Sequence, residues 1–206
     1  MINKEISIIK IKKKQFKKYN KQIVNIHSNA FKNFYLTSLG KPFLNEFYNS
    51  ILNHNNGFII GLIFQNRLVA FAAGTSCEQN FFSDIFKKNF FSLALSCMPA
   101  LFKNPLKIFS VLEHLINVKS NKEKRTNASL LSICVDPSFP NMGFGQIILK
   151  EFENELFKVN DRITLTTDAL NNQYVNNFYI KNDYLLHSEF FQGKRKMNLY
   201  IKKFHK

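Results

Sequence analysis

The stretch Val135-Asp136-Pro137-Ser138-Phe139-Pro140-Asn141-Met142-Gly143-Phe144-Gly145-Gln146 leads out of an apolar run and into a helical pattern, and it holds two of the chain's 7 glycines. The first N–H groups of a helix have no intrahelical acceptor and sit at the positive end of its dipole. Glycine at such a joint lets the backbone approach a ligand closely. The chemistry this spacing suits is anion binding, of a phosphate or pyrophosphate. Two loops of that kind are excluded by their neighbours. A P-loop places Lys and then Ser or Thr after its last glycine, whereas Gly145 is followed by Gln146-Ile147. A dinucleotide fingerprint carries a third glycine, where this chain has Ile148.

The loop is only as good as the elements that hold it. Residues 5–14 alternate as a strand, and Phe16, Ile23, Ile26 and His27 recur at helical spacing over 14–31. Within 35–54, Gly40 makes a turn and Pro42 opens a helix that carries Phe43, Phe47 and Ile51 on one face. Residues 57–76 read as a β-hairpin joined by Gln65-Asn66-Arg67, without the favoured Asn-Gly pair. The Phe- and Leu-rich 78–118 segment predicts two or three short helices, and 119–127 a charged linker. A strand over 128–137 then meets the glycine loop and a helix running to Asn160. A strand over 162–170, a helix over 172–182 and antiparallel strands over 184–192 and 194–204 follow. This alternation predicts an α+β (layered α/β) domain with a mixed central sheet flanked by helices.

Composition bounds the partners. The net charge is +15, with 29 Lys and Arg against 14 Asp and Glu. Part of it accompanies a general richness in Lys, Asn and Ile, and the remainder favours anionic partners such as phosphorylated cofactors, nucleic acid or an acidic membrane surface. Cys77, Cys97 and Cys134 lie in apolar runs without metal-ligand spacing, as reduced core thiols do, and no metal site is expected. The first residues lack a signal-peptide apolar region, and no apolar run is long enough to span a bilayer, which predicts a cytoplasmic protein.

Val135-Asp136-Pro137 followed by Gly143-Phe144-Gly145 resembles the acyl-CoA-binding motif of the GNAT superfamily of N-acyltransferases, usually written as Arg or Gln, two residues, Gly, one residue, Gly or Ala; Pro140 stands at its first position. Downstream, Asn172, Val175 and Phe178-Tyr179 resemble the family's second motif, with Asp183-Tyr184 where Gly-Phe is usual. The resemblance implies one GNAT-type domain over 1–206 with a helical insertion and linker at 78–127, like that of a bacterial subgroup. It implies acetyl transfer from acetyl-CoA to a primary amine by direct attack. The acceptor implied by the subgroup is an amino sugar or surface-polysaccharide precursor. Backbone groups of Ile133, Cys134 and Val135 would pair with the pantetheine arm, and the N–H groups of Met142, Gly143, Phe144, Gly145 and Gln146 would hold the pyrophosphate. Asn172 would contact the pantetheine region, and Tyr179 would be the general acid. Many relatives carry a Glu on the strand before Val-x-Pro, where this chain has Ser129 and Ser132. Asp136, His187 and Glu189 are other ionisable groups near the motifs, and no base is assigned.

Within 78–118, Lys87, Lys88, Lys103 and Lys107 flank Phe90, Phe91, Phe102 and Phe109. That pattern suits peripheral membrane contact. The preferred reading is that these phenylalanines cover the sheet or a homodimer interface, with the lysines in water. A basic, non-catalytic module for nucleic acid or an anionic surface is the alternative, but the basic residues are scattered and no nucleic-acid motif is present.

Overall fold

A computed structural model describes residues 6–32, 34–102 and 127–204. In chain order the elements are β1 (Ile6–Ile11), α1 (Lys13–Ala30), α2 (Tyr35–Ser38), α3 (Lys41–Asn53), β2 (Gly57–Phe64), β3 (Arg67–Thr75), α4 (Phe81–Leu101), β4 (Ala128–Val135), α5 (Phe144–Phe157), β5 (Arg162–Asp168), α6 (Gln173–Lys181), β6 (Leu185–Gln192) and β7 (Arg195–Lys203). The strands form one sheet in the order β1-β2-β3-β4-β5-β7-β6. Among the described strands only β4 and β5 run parallel. A parallel pair needs a long crossover, and α5 supplies it.

Periodicity places the helices. On α1, Phe16, Tyr19, Ile23, Ile26 and His27 share one buried side, and on α3 Phe43, Phe47, Tyr48 and Ile51 do the same. These residues and the inner side of α4 form one core against the sheet. Phe144, Ile148, Leu149, Phe152 and Leu156 of α5 form a second core with Phe58, Leu62 and Leu130. The element order is that expected from sequence, with local corrections. β1 stops at Ile11 because α1 begins two residues later, its first turn closed by the Lys12 N–H donating to Gln15 Oε1 at 3.0 Å. The β2–β3 turn is two residues, Gln65 and Asn66 at φ 50° and 59°, and Arg67 belongs to β3. Both positive φ values match the right-handed twist of a hairpin. The segment after β3 begins as one long helix, α4, broken at Asn89 (φ −116°, ψ 18°). The expected helix and linker over 103–126 lie outside the described residues.

β4 departs from regular pairing where it matters most. Thr75 faces Ser129, Gly74 faces Leu130, and Ala73 faces Ser132, so Leu131 is an extra residue on β4. A bulge of this kind bends its strand and raises the twist. It also changes which residues face which core. Ala128 and Leu130 lie in the α5 core before it, whereas Ile133 and Val135 pack there after it and Cys134 turns to the other side. Gly74 sits opposite the bulge, where a Cβ would come within 2.2 Å of the Ser129 carbonyl oxygen and 2.5 Å of the Phe152 ring. Only glycine lets sheet and helix close there.

Candidate active site

The bulge opens the sheet. β4 pairs with β5 from Ala128↔Ile163 to Leu130↔Leu165 and no further, while β5 stays paired with β7 as far as Asp168↔Met197. Ser132 to Val135 therefore run beside β5 without joining it, and the two parallel strands diverge into a slot. Backbone groups on that side of β4 face the slot in place of a neighbouring strand, an arrangement that can accept an extended amide-bearing ligand as an added strand.

The glycine loop lies at the mouth of the slot. Asp136 ends β4, its N–H donating to the Val69 carbonyl at 2.7 Å and its Oδ1 accepting from the Ser138 N–H at 3.0 Å. Its other oxygen accepts from Arg67 at 3.1 Å. Beneath the loop Phe139, Phe64 and Phe144 pack ring to ring, and the Arg67 guanidinium lies 5.7 Å from the Phe139 ring. The loop is thus anchored from below while its upper side, at Pro140 to Gly143, is exposed. Gly143 caps α5 at φ 71°, and a Cβ there would meet nothing within 4 Å. The Gly145 position has ordinary contact distances to Phe178 and Val135, 3.7 Å or more. Packing requires glycine at neither position; Gly143 is needed for its backbone angle. Phe144 and Gly145 open the helix, so their N–H groups have no carbonyl one turn back. The Gln146 N–H donates to the Gly143 carbonyl at 3.1 Å. The loop has room and donors for a pyrophosphate, and the first turn of α5 has no acidic residue to oppose one.

Tyr179, on α6, is 6% exposed and packs with Phe178, Tyr184 and Tyr200. Burial raises its pKa, and the adjacent Cys134 adds to the rise, so the phenol stays protonated. Its neighbourhood to Cys134 brings this hydroxyl-bearing residue to the diverging part of β4. Asp183-Tyr184 follows α6 where Gly-Phe was expected from the resemblance. Asp183 adopts φ 66°, the left-handed conformation that ends a helix, and Tyr184 is fully buried against Tyr179.

Asn172 sits just before α6. Its amide donates to Thr167 Oγ1 at 2.8 Å and to the Asp168 carbonyl at 3.2 Å, tying α6 to the end of β5. Sequence reasoning missed the group behind it. Asn176 donates to the same Asp168 carbonyl at 3.0 Å, and its Oδ1 accepts from Asn198 at 3.0 Å and from the Tyr200 hydroxyl at 2.9 Å. Arg195 holds the Asp168 carboxylate with two hydrogen bonds, of 2.9 and 2.6 Å, and lies 4.8 Å from the Phe34 ring. The one signal in the sequence was Asn176, a turn after Asn172 on an otherwise apolar helix side.

A second missed group lies under the unpaired part of β4. The Tyr48 hydroxyl and His27 Nδ1 are 2.6 Å apart, both fully buried, with Ser132 and Cys134 beside the phenol. Burial lowers the His27 pKa to about 4, so the imidazole is neutral at physiological pH. Among the ionisable groups considered from sequence, Asp136 is held by Arg67 and Ser138, Glu189 pairs with Lys196 at 2.7 Å, and His187 is on the exposed strand β6. Among the described residues no cluster of three His, Cys, Asp or Glu could hold a metal ion.

A divergent parallel pair, a glycine-led helix start at its mouth and a buried tyrosine beside it define a thioester-using acyltransferase architecture. The model of the acetyltransferase (GNAT) family matches residues 20–184. Similar solved structures include an acetyltransferase from Thermus thermophilus (TM-score 0.59, 8% identity, 97% of each chain covered). The ribosomal-protein-S18-alanine N-acetyltransferase of Escherichia coli has a TM-score of 0.59 and 13% identity over 97% of this chain and 94% of its own. PaiA N-acetyltransferase from Thermoplasma acidophilum, in complex with coenzyme A, has a TM-score of 0.57 and 16% identity over 97% and 99%. No curated protein matches the chain. The chain belongs to the GNAT acetyltransferase family: it is an acyltransferase that moves an acetyl group from acetyl-CoA to an amine.

Proposed function

We propose that the slot between β4 and β5 binds acetyl-CoA and that the acceptor is a primary amine on an amino sugar or surface-polysaccharide precursor. The observation that carries the binding mode is the end of β4–β5 pairing at Leu130, with the start of α5 at the open end. Backbone groups of Ile133, Cys134 and Val135 pair with the pantetheine amides, and one of their N–H groups polarises the thioester carbonyl as negative charge develops on its oxygen. N–H groups from Met142 to Gly145, with the Gln146 turn behind them, hold the pyrophosphate at the positive end of α5. Asn172 fixes the wall of the slot against β5 through Thr167 and faces the pantetheine region.

Tyr179 acts as general acid. Burial keeps the phenol protonated at neutral pH, so its proton is at hand for the departing thiolate. The neutral amine attacks the thioester carbon, the C–S bond breaks, and the sulfur leaves with the Tyr179 proton. The amine's own proton passes to water and from there restores the Tyr179 phenol, since no carboxylate stands at Ser129 or Ser132. The +15 charge supports a neutral or anionic acceptor, such as a nucleotide-linked amino sugar, over a polyamine or a basic peptide. The enzyme works in the cytoplasm, where acetyl-CoA is made.

Calorimetry tests the binding mode directly. Acetyl-CoA should bind the wild type and lose about a hundredfold or more in affinity in the Gly143→Asp, Gly145→Asp double variant, because two carboxylates then face the pyrophosphate. Unchanged affinity would move the cofactor elsewhere. A screen of amino sugars and their nucleotide-linked forms against peptides and polyamines then tests the acceptor class, and turnover confined to the cationic amines would overturn it.

A further inference from the structure

We propose that the outer face of α4 seats the enzyme on an anionic lipid bilayer. After its break at Asn89, α4 is apolar on two opposite sides. Leu93 and Cys97 point into the core, with Ala100 partly covered behind them. Phe91, Leu95, Met98 and Phe102 repeat at i, i+4, i+7 and i+11 on the other side, where Phe91 is 87%, Leu95 72% and Phe102 83% exposed. The expectation that these phenylalanines cover the sheet is therefore wrong for the described part of the segment. From Phe90 to Phe102 no side chain is charged. Of the two serines in between, Ser96 donates to the Leu93 carbonyl at 2.7 Å, and the exposed Ser92 hydroxyl lies 3.2 Å from the Asn89 carbonyl and 2.9 Å from Glu46 Oε1. A helix apolar all round belongs to a protein core or to lipid. Among the described residues, protein covers only one side of this one.

Charge decides what covers the other side. Lys87 and Lys88, both exposed, stand one turn before Phe91, and in the sequence Lys103 follows Phe102 directly. Asp84, the acidic residue of α4, is drawn toward His54 of the neighbouring helix terminus at 3.7 Å. An apolar strip led by lysines lets aromatic side chains enter the acyl boundary while the ammonium groups remain among anionic headgroups. A second copy of the chain is the poorer partner. Pairing two α4 strips in parallel opposes Lys87 and Lys88 to themselves, and in either direction it brings together two chains of +15 each. Among the described residues no helix is long and apolar enough to cross a membrane, so the contact is with the surface. The inference does not depend on the acceptor assigned above.

The absence of tryptophan gives a clean reporter. A single Trp is placed by Phe91→Trp or, as a control on the equally open edge strand β6, by Leu185→Trp, and each full-length variant is titrated with vesicles of equal parts phosphatidylglycerol and phosphatidylcholine, or of phosphatidylcholine alone. The expected result is a blue shift for Phe91→Trp with the anionic vesicles, weakened by salt, and none for Leu185→Trp. In sedimentation, Phe91→Ser, Leu95→Gln, Phe102→Ser should lower vesicle binding by about tenfold or more, as should Lys87→Glu, Lys88→Glu, with the acetyl-CoA affinity of both variants unchanged as proof of folding. No binding by the wild type overturns the proposal. So does binding that the triple variant retains, or a shift confined to Leu185→Trp. A wild-type dimer that the triple variant converts to monomer, without vesicle binding, would assign the strip to a second copy instead.

Discussion

The two faces of the sheet are built from similar material and put to different uses. On one, α5 buries Phe144, Ile148, Leu149, Phe152 and Leu156 and turns Lys150 and Asn154 to water, so that its single apolar side has a single place to go. Its start is then free to serve the slot, with Tyr179 of α6 alongside. On the other, α1 and α3 close over a buried His27–Tyr48 pair, and α4 stacks outside them with apolar residues still turned outward. The proposed chemistry lies on the first face and the proposed attachment on the second, so substitutions should separate them.

The largest separation should come from the reacting group. Tyr179→Phe keeps the ring packing and removes the proton donor, and kcat should fall by about 10²- to 10⁴-fold with little change in vesicle binding or in acetyl-CoA affinity. Steady-state kinetics with a pH profile check it. A kcat within a factor of about three of wild type would transfer the role of acid to another group or to water.

Stability should divide the two helices next. Phe152 is fully buried, stacked 4.7 Å from Phe58 and pressed against Gly74, so Phe152→Ala should cost about 3–5 kcal/mol in urea unfolding. Phe91→Ala on α4 removes the same ring from an open surface and should stay within about 0.5 kcal/mol. Equal losses would mean that the outer side of α4 is covered in the isolated chain.

A smaller effect distinguishes the faces by pH. His27 has a folded-state pKa of about 4, against 6.5 for an ordinary imidazole, because burial disfavours its charge. As pH falls, the unfolded chain takes up the proton first. The stabilising contribution of the neutral ring is therefore whole above pH 6.5 and declines as pH drops toward 4, by about 3 kcal/mol at most. His27→Gln should flatten the unfolding free energy across that window, whatever it does to stability at neutral pH. A wild-type profile that is already flat there would contradict the buried, neutral assignment.

Much of this molecule was legible before any coordinates. The helices announced themselves by periodicity, as α3 did through Pro42, Phe43, Phe47 and Ile51, and the hairpin by two apolar runs around Gln65-Asn66. The paired motifs around Gly143 and Tyr179 were readable because backbone donors at a helix start and a tyrosine on a short helix are local features. Asp183 looked like a departure on paper, and the chain there adopts φ 66°, a left-handed conformation that aspartate tolerates. The hydrogen bonds of Asn176 and the Asp168–Arg195 pair were out of reach, since their partners come from β7, some twenty or more residues away in the chain.

By itself the amino-acid sequence determined most of the helices and strands and where a glycine-led helix start follows a strand, because these follow from residue type and short-range spacing. Only the tertiary structure decided that β4 leaves its parallel neighbour after Leu130. Ala128–Val135 reads as an uninterrupted strand, and its extra residue exists only by reference to the β3 residues it faces. It likewise decided that Phe91, Leu95 and Phe102 remain outside. An apolar helix has no preferred side until the rest of the chain has packed, and here α3 needed only one of them.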